Sequence, residues 1–197
     1  ITSNTVLTKR DRATFHFVSR AKGILCGINI AKTVYELLDE KIKFTSFKKD
    51  GDPIKKNEIL AKVEGPAISL LTGERTALNF LTHLSGIATS TSMMVKLISH
   101  TDTKILCTRK TTPGLRNIEK YAVKVGGGIN HRIGLYDAIL IKDNHIAIAG
   151  SISNALKKVK KLKNKIKIEI EVDNLKQFKE AFKFNPDVIM LDNFKIN

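Results

Sequence analysis

Cysteine is almost absent from these 197 residues, with Cys26 and Cys107 the only two. They lie far apart without metal-ligand spacing, and two thiols are too few for a disulfide scaffold, so both are expected to be reduced and packed. Long apolar runs are also missing: none approaches the ~20 residues that cross a bilayer, and the opening ITSNTVLTKRDR holds no hydrophobic signal core. No membrane partner is expected, and the expected location is the cytoplasm. Acidic residues are few, 19 Asp and Glu against 34 Lys and Arg, for a formal charge of +15. That balance raises a nucleic-acid partner, because phosphate neutralisation dominates such binding. Its distribution argues against one. Most of the excess is lysine on presumed helix faces (Lys157, Lys158, Lys160, Lys161, Lys163, Lys165), and no recognition helix, zinc finger or aromatic-rich RNA-binding signature accompanies it. Arginine is scarce, and Arg75, Arg109 and Arg132 fall among residues that read as a site.

What is present is an ordinary globular composition, 42% hydrophobic, with two patterns in succession. Thr14 to Ser19 alternates as a strand. Ile30, Val34, Leu37 and Leu38 mark a short amphipathic helix, and Lys43 to Phe47 and Glu58 to Val63 read as strands closed by Asp50-Gly51-Asp52-Pro53 and Gly65-Pro66. Residues 1–84 thus form a first α+β domain that names no chemistry of its own. A helical segment over 73–98, interrupted at Gly86, reads as the hinge. Over 85–197, strands at 104–108, 138–141, 166–172 and 187–191 alternate with helices at 117–125, 152–163 and 174–184, the pattern of a parallel sheet with crossover helices. No GxGxxG or GxxxxGK[ST] loop follows the early strands, and a barrel is favoured over an open sheet.

The stretch from Leu106 to His145 concentrates the chemistry. Arg109, Lys110, Arg116, His131, Arg132, Lys142 and His145 stand beside glycines, a proline and strand ends, and cations so gathered expect an anion. Arg109 and Lys110 follow one strand and Lys142 another, and in βα architectures the C-terminal strand ends carry the site. In Ile166 to Val172 the isoleucines share one face and Lys167, Glu169 and Glu171 the other. If the polar face points into the barrel, Glu171 and Asp192 form a pair of carboxylates beside the cations, suited to Mg²⁺ or to ribose hydroxyls. Gly126-Gly127-Gly128 reads as a ligand loop or as a bare helix terminator. Asn144 and His145 bind phosphate or cap the next turn. His83 and His100 read as structural.

The runs TRKTTPGLR (108–116), EKYAV (119–123), VGGG (125–128), NHR (130–132) and LIKDNH (140–145), with ERTALNFL (74–81) before them and EIEVDNL (169–175) and MLDN (190–193) after, resemble the quinolinate phosphoribosyltransferase family. The resemblance implies an N-terminal α/β sandwich domain, an incomplete α/β barrel, and a homodimer with shared sites. It also implies Mg²⁺-dependent phosphoribosyl transfer from phosphoribosyl pyrophosphate to quinolinate, giving nicotinate mononucleotide, CO₂ and pyrophosphate. By the same resemblance Arg109, His131 and Arg132 bind the quinolinate carboxylates, with Arg75 reaching in from the partner subunit. Lys110 and Lys142 serve the reacting centre and the phosphates, and Glu171 and Asp192 serve the ribose and the metal. Cys107 stands where the family often has Asp. The chain opens on Ile1 rather than Met and stops after four expected barrel strands, so it is expected to be cropped at both ends. A related phosphoribosyltransferase for another aromatic acid, a basic nucleic-acid-binding protein, and a catalytically dead remnant that keeps fold and dimer are the competing readings.

Overall fold

A computed structural model of the chain describes residues 1–162 and 166–195. It is a mixed α/β protein of two compact units, Ile1–His131 and Arg132–Asn197.

The first unit starts with a short helix, α1 (Thr2–Val6), and a strand, β1 (Arg12–Val18). After β2 (Gly23–Ile24) and helix α2 (Ile28–Leu38) come strands β3 (Lys43–Ser46), β4 (Pro53–Ile54) and β5 (Ile59–Pro66). β5 is the centre of an antiparallel sheet ordered β1-β5-β3, while β2 and β4 pair separately. Alternation sets the register: Phe15 and Phe44 both lie opposite Val63, and Phe17 opposite Ala61. Their common face packs on α2 and on the long helix α3 (Ala67–Leu97).

Three expectations are corrected here. The expected helix forms, but its stripe is buried only in part: Ile30 and Val34 are partly buried against the core, Ile28, Ala31 and Tyr35 fill its interior face, and Leu37 is 83% exposed. Tyr35 decides the rotation, because its ring joins Phe17 and Phe44 with centroids 6.2 and 6.0 Å away. Gly65-Pro66 does not break β5, which runs through both residues directly into α3. A Cβ at Gly65 would press on Ile42 at 2.9 Å, so packing requires the glycine. Helix α3 passes through Gly86 without interruption, burying Leu70, Ala77, Leu81, Leu84 and Ala88 and leaving Met94 and Leu97 exposed.

The expected strand at 104–108 is also absent. The segment makes a single parallel bridge, Leu106 to Ile129, and Leu106 is half exposed. One bridge supplies too few ladder bonds to fix a strand. Helix α4 (Arg116–Val125) follows as expected, with Ile118, Ala122 and Val125 against Leu84 and Ala88.

In the second unit, β6 (Ile139–Ile141), β7 (Ile168–Val172) and β8 (Val188–Leu191) form a parallel sheet in that order. Helices α5 (Asp143–Ala149), α6 (Ile152–Lys160) and α7 (Leu175–Phe182) accompany it. Ile170 and Val172 pack on Ile152, Leu156 and Ala181 from the helices. Helix α5 was not legible as a separate element, although Asp143 in its first turn and Gly150 at φ 83° after its last are its start and stop signals. Lys157, Lys158, Lys160 and Lys161 are solvated as expected; Lys163 and Lys165 lie outside the described residues. Among the described residues no helix is long and apolar enough to cross a membrane.

Candidate functional site

The parallel register gathers three of the expected residues. Ile141 lies beside Ile170, which places the next residues, Lys142 and Glu171, side by side at the ends of β6 and β7. Glu171 lies opposite Met190, so Asp192, two residues further on, shares its face of the sheet. The Asp192 amide donates to the Val172 carbonyl at 2.9 Å, extending the ladder by one bond. Lys142 Nζ donates to Glu171 Oε2 at 2.9 Å, and the Glu171 side chain is only 14% exposed. Asp192 Oδ2 accepts from the Asn193 side chain at 3.0 Å. His145 takes the capping role: its Nδ1 accepts from the Lys142 amide at 2.9 Å and fixes the first turn of α5.

Arg132 is half-buried ahead of a tight loop. The Asp137 carboxylate closes that loop, accepting from the amides of Ile133 at 2.6 Å and Gly134 at 3.2 Å. The Ile133 amide chiefly, then the Gly134 amide and the nearby Arg132 charge, hold the Asp137 carboxyl below its usual range against an opposing push from desolvation.

In the first unit Arg109 and Lys110 sit on the irregular tract between the Leu106 bridge and α4. Lys110 is exposed, whereas Arg109 has its Nε buried with no hydrogen-bond partner among the described residues. Arg116 is spent on its own loop, its Nε donating to Thr111 Oγ1 at 3.2 Å. Gly126-Gly127-Gly128 is more than a helix terminator. A Cβ at Gly126 would run into the Ala88 carbonyl, one at Gly128 would meet Val123 at 2.8 Å, and Gly127 has φ 92°. Arg75, exposed on α3, lines an open cleft of about 1010 Å³ whose walls include His16, Arg20, Lys22 and Glu74. Arg109 and His131 are not among its lining residues.

Two residues with a part in this arrangement escaped the sequence reading, Glu119 and Lys120, both buried on α4. Glu119 accepts from His83 at 2.9 Å and from the Thr112 amide at 3.1 Å, which gives His83 the structural role expected of it. Burial pushes the Glu119 carboxyl up, but its hydrogen bonds to Thr112 and His83 outweigh that and leave it below the usual range. Lys120 Nζ donates to Cys107 Sγ at 2.8 Å and to the His131 carbonyl at 3.1 Å. They open the run EKYAV (119–123), but neither that resemblance nor the apolar spacing of α4 assigned them a part.

In the first unit the cationic tract carries an arginine whose buried Nε has no hydrogen-bond partner among the described residues, a group suited to an anion; in the second, the strand ends carry one lysine and two carboxylates, suited to a hydroxylated or metal-bearing group. No cluster of three or more metal-ligating side chains occurs among the described residues. Glu171 and Asp192, on one face of the sheet, offer the carboxylate oxygens that an ion such as Mg²⁺ accepts alongside a substrate's phosphates.

Residues 1–85 match the family described as quinolinate phosphoribosyl transferase, N-terminal domain, and residues 87–197 the corresponding C-terminal domain. The chain is 50% identical over 177 residues to a probable nicotinate-nucleotide pyrophosphorylase [carboxylating] of Bacillus subtilis, covering 89% of this chain and 61% of that protein. It is 41% identical over 201 residues to a nicotinate-nucleotide pyrophosphorylase [carboxylating] of Mycobacterium leprae, covering 100% of this chain and 70% of that one. The solved nicotinate-nucleotide pyrophosphorylase of Francisella tularensis superposes with a TM-score of 0.93 at 44% identity, covering 99% of this chain and 69% of that one. The chain thus spans roughly three fifths to seven tenths of the length of these relatives. With both family domains matched in order from end to end, and with the fold of a solved relative, the chain belongs to the quinolinate phosphoribosyl transferase family.

Proposed function

We propose that this chain, within a protein of its relatives' full length, transfers phosphoribose from phosphoribosyl pyrophosphate to quinolinate with decarboxylation. The products are nicotinate mononucleotide, CO₂ and pyrophosphate, a step in making NAD. The observation that carries the reading is the alignment of Lys142, Glu171 and Asp192 on neighbouring parallel strand ends in a chain of this family.

The chemistry assigns the roles. Quinolinate is a planar dianion, and guanidinium groups grip planar carboxylates with two prongs where lysine cannot, so Arg75, Arg109 and Arg132, with His131, form its pocket. Lysines suit the more diffuse phosphates, and Lys110 and Lys142 bind those of the donor. Departure of pyrophosphate builds positive charge on the sugar and negative charge on the leaving group. Glu171 and Asp192 face the first and the lysines the second. The pair of Lys142 and Glu171 holds each side chain ready: phosphate oxygens compete for the ammonium, and the carboxylate is then free to face the ribose. Mg²⁺, held by Glu171 and Asp192 with the donor's phosphates, would neutralise charge on pyrophosphate. Once the pyridine nitrogen carries ribose it is cationic, and its charge stabilises the electron pair left on the adjacent ring carbon as CO₂ departs, until a proton takes the place of the carboxylate.

The sheet β6-β7-β8 with its helices is read as part of an incomplete α/β barrel, the first unit's sheet and helices as the α/β sandwich, the assembly as a homodimer with shared sites, and the location as the cytoplasm. The test is to make the protein in its relatives' full length and follow quinolinate absorbance with phosphoribosyl pyrophosphate and Mg²⁺. Loss of absorbance that needs all three supports the reading. No loss with quinolinate, but turnover of another aromatic acid, would overturn the substrate assignment.

A further inference from the structure

Helix α4 presents two consecutive charged side chains to the protein interior, Glu119 at 8% and Lys120 at 3% exposure. Isolated charges in such places are expensive, and they persist where each finds partners. Their partners flank one short tract. Lys120 donates to Cys107 Sγ, two residues before Arg109, and Glu119 accepts from the Thr112 amide, two residues after Lys110. Lys120 also donates to the His131 carbonyl, tying the segment of Arg109 to the residue that precedes Arg132. The tract has no ladder of its own beyond the single Leu106 bridge, so nothing else of regular structure sets its path. Arg109 meanwhile keeps its Nε buried and without a hydrogen-bond partner among the described residues, a donor left unused.

We infer that Glu119 and Lys120 are positioning residues: a two-point clamp on either side of Arg109 and Lys110 that preorganises the guanidinium for a carboxylate. The inference rests on the proposed reaction for its substrate. The clamp removes the freedom of the tract before the ligand arrives, so binding does not have to pay for ordering it.

The experiment uses the protein in its relatives' full length. Wild type must first consume quinolinate; if it does not, the proposed function fails, and the clamp is then read from limited trypsin cleavage after Arg109 and Lys110, which is expected to be faster in folded Lys120→Met and would overturn the clamp if unchanged. With wild type active, Lys120→Met is expected to raise KM for quinolinate about tenfold, since small misplacements of a binding group have effects of that order or larger. KM for phosphoribosyl pyrophosphate should change less than about twofold, a split that general loss of structure does not produce. Glu119→Gln keeps an acceptor for Thr112 and should stay within about twofold of wild type in both constants, whereas Glu119→Leu should follow Lys120→Met. If Lys120 acts through Arg109, the double variant Lys120→Met with Arg109→Lys loses little more than Arg109→Lys alone. Additive losses, or a quinolinate KM unchanged in folded Lys120→Met, would overturn the inference. Should Lys120→Met not fold, Lys120→Gln carries the same reading with the same two outcomes.

Discussion

Arg132 and Gly126 show what single residues carry here. Arg132 is held half-buried by a loop that Asp137 closes. If its two prongs grip a quinolinate carboxylate, Arg132→Lys removes one charge-assisted bond, roughly 1.5–3 kcal/mol or ten- to a hundredfold in affinity. Calorimetric titration with quinolinate checks this, and wild-type affinity in the variant would refute the two-pronged assignment. Gly126 is a matter of space rather than of chemistry. A Cβ added there would run into the Ala88 carbonyl, and backbone cannot swing aside as a side chain can. Gly126→Ala is expected to destabilise the first unit by about 1–3 kcal/mol, as overpacking does, seen as a lowered urea midpoint. An unchanged midpoint would mean that α4 and α3 separate freely there. The spacing of three glycines marked the place in the sequence; which neighbour forbids a side chain belongs to packing.

At the scale of elements, the sheet ends and α4 make different predictions. Asp192 and Glu171 share a face because β7 and β8 are in parallel register. Asp192→Asn is expected to weaken binding of phosphoribosyl pyrophosphate while binary quinolinate binding stays within about twofold. Separate titrations decide, and collapse of quinolinate binding with normal donor binding would reverse the assignment. Helix α4 adds a pH dependence. The Glu119 carboxyl is held below its ordinary range in the folded state, so it contributes stability that is complete above the unfolded carboxyl range, about pH 4.3, and is lost as pH falls through the lowered folded value. Asp39, Glu58, Glu64, Asp137 and Glu180 are lowered in the same direction. The acid limb of a stability profile should therefore be shared, and Glu119→Gln should make it shallower without moving the neutral plateau's onset upward. An acid limb as steep as that of wild type would show that Glu119 is not linked to folding. Parity alone put Glu169 and Glu171 on one strand face in the sequence, and the structure agrees. Burial of two adjacent charges on α4 was not legible, because apolar spacing says which positions bury carbon and is silent on charges that bury by finding partners.

At the scale of the whole molecule, the proposed pocket requires Arg75 to join the other arginines. Arg75 stands on α3, on a cleft whose lining does not include Arg109 or His131. Exposed cations attract carboxylates by only ~1 kcal/mol per pair in bulk water, so a pocket for a dianion gains from being covered, and in the proposed two-fold dimer each cover would come from the other subunit. Full-length Arg75→Ala and Arg109→Ala proteins, each inactive alone, should regain about a quarter of wild-type activity when unfolded together and refolded at random. Mixed dimers that form without recovering activity would place Arg75 outside the partner's site.

The sequence by itself determined what local periodicity and residue chemistry can determine. These are the strands around Phe15, Phe44 and Val63, the polar face of β7, the turn at Pro113-Gly114, and the choice of arginine, lysine and carboxylate at positions 75, 109, 110, 132, 142, 171 and 192. Motif order was legible too, since it needs no folding to be read. The tertiary structure alone decided which face of α2 is buried, that 104–108 pairs through one bridge only, and that α3 runs unbroken past Gly86. It also decided that Lys142 and Glu171 meet, and that Glu119 and Lys120 turn inward. Each of these depends on a partner distant in the chain: Tyr35 on Phe17 and Phe44, Lys142 on a strand 29 residues later. A periodic pattern specifies a surface, and only the fold specifies what that surface meets.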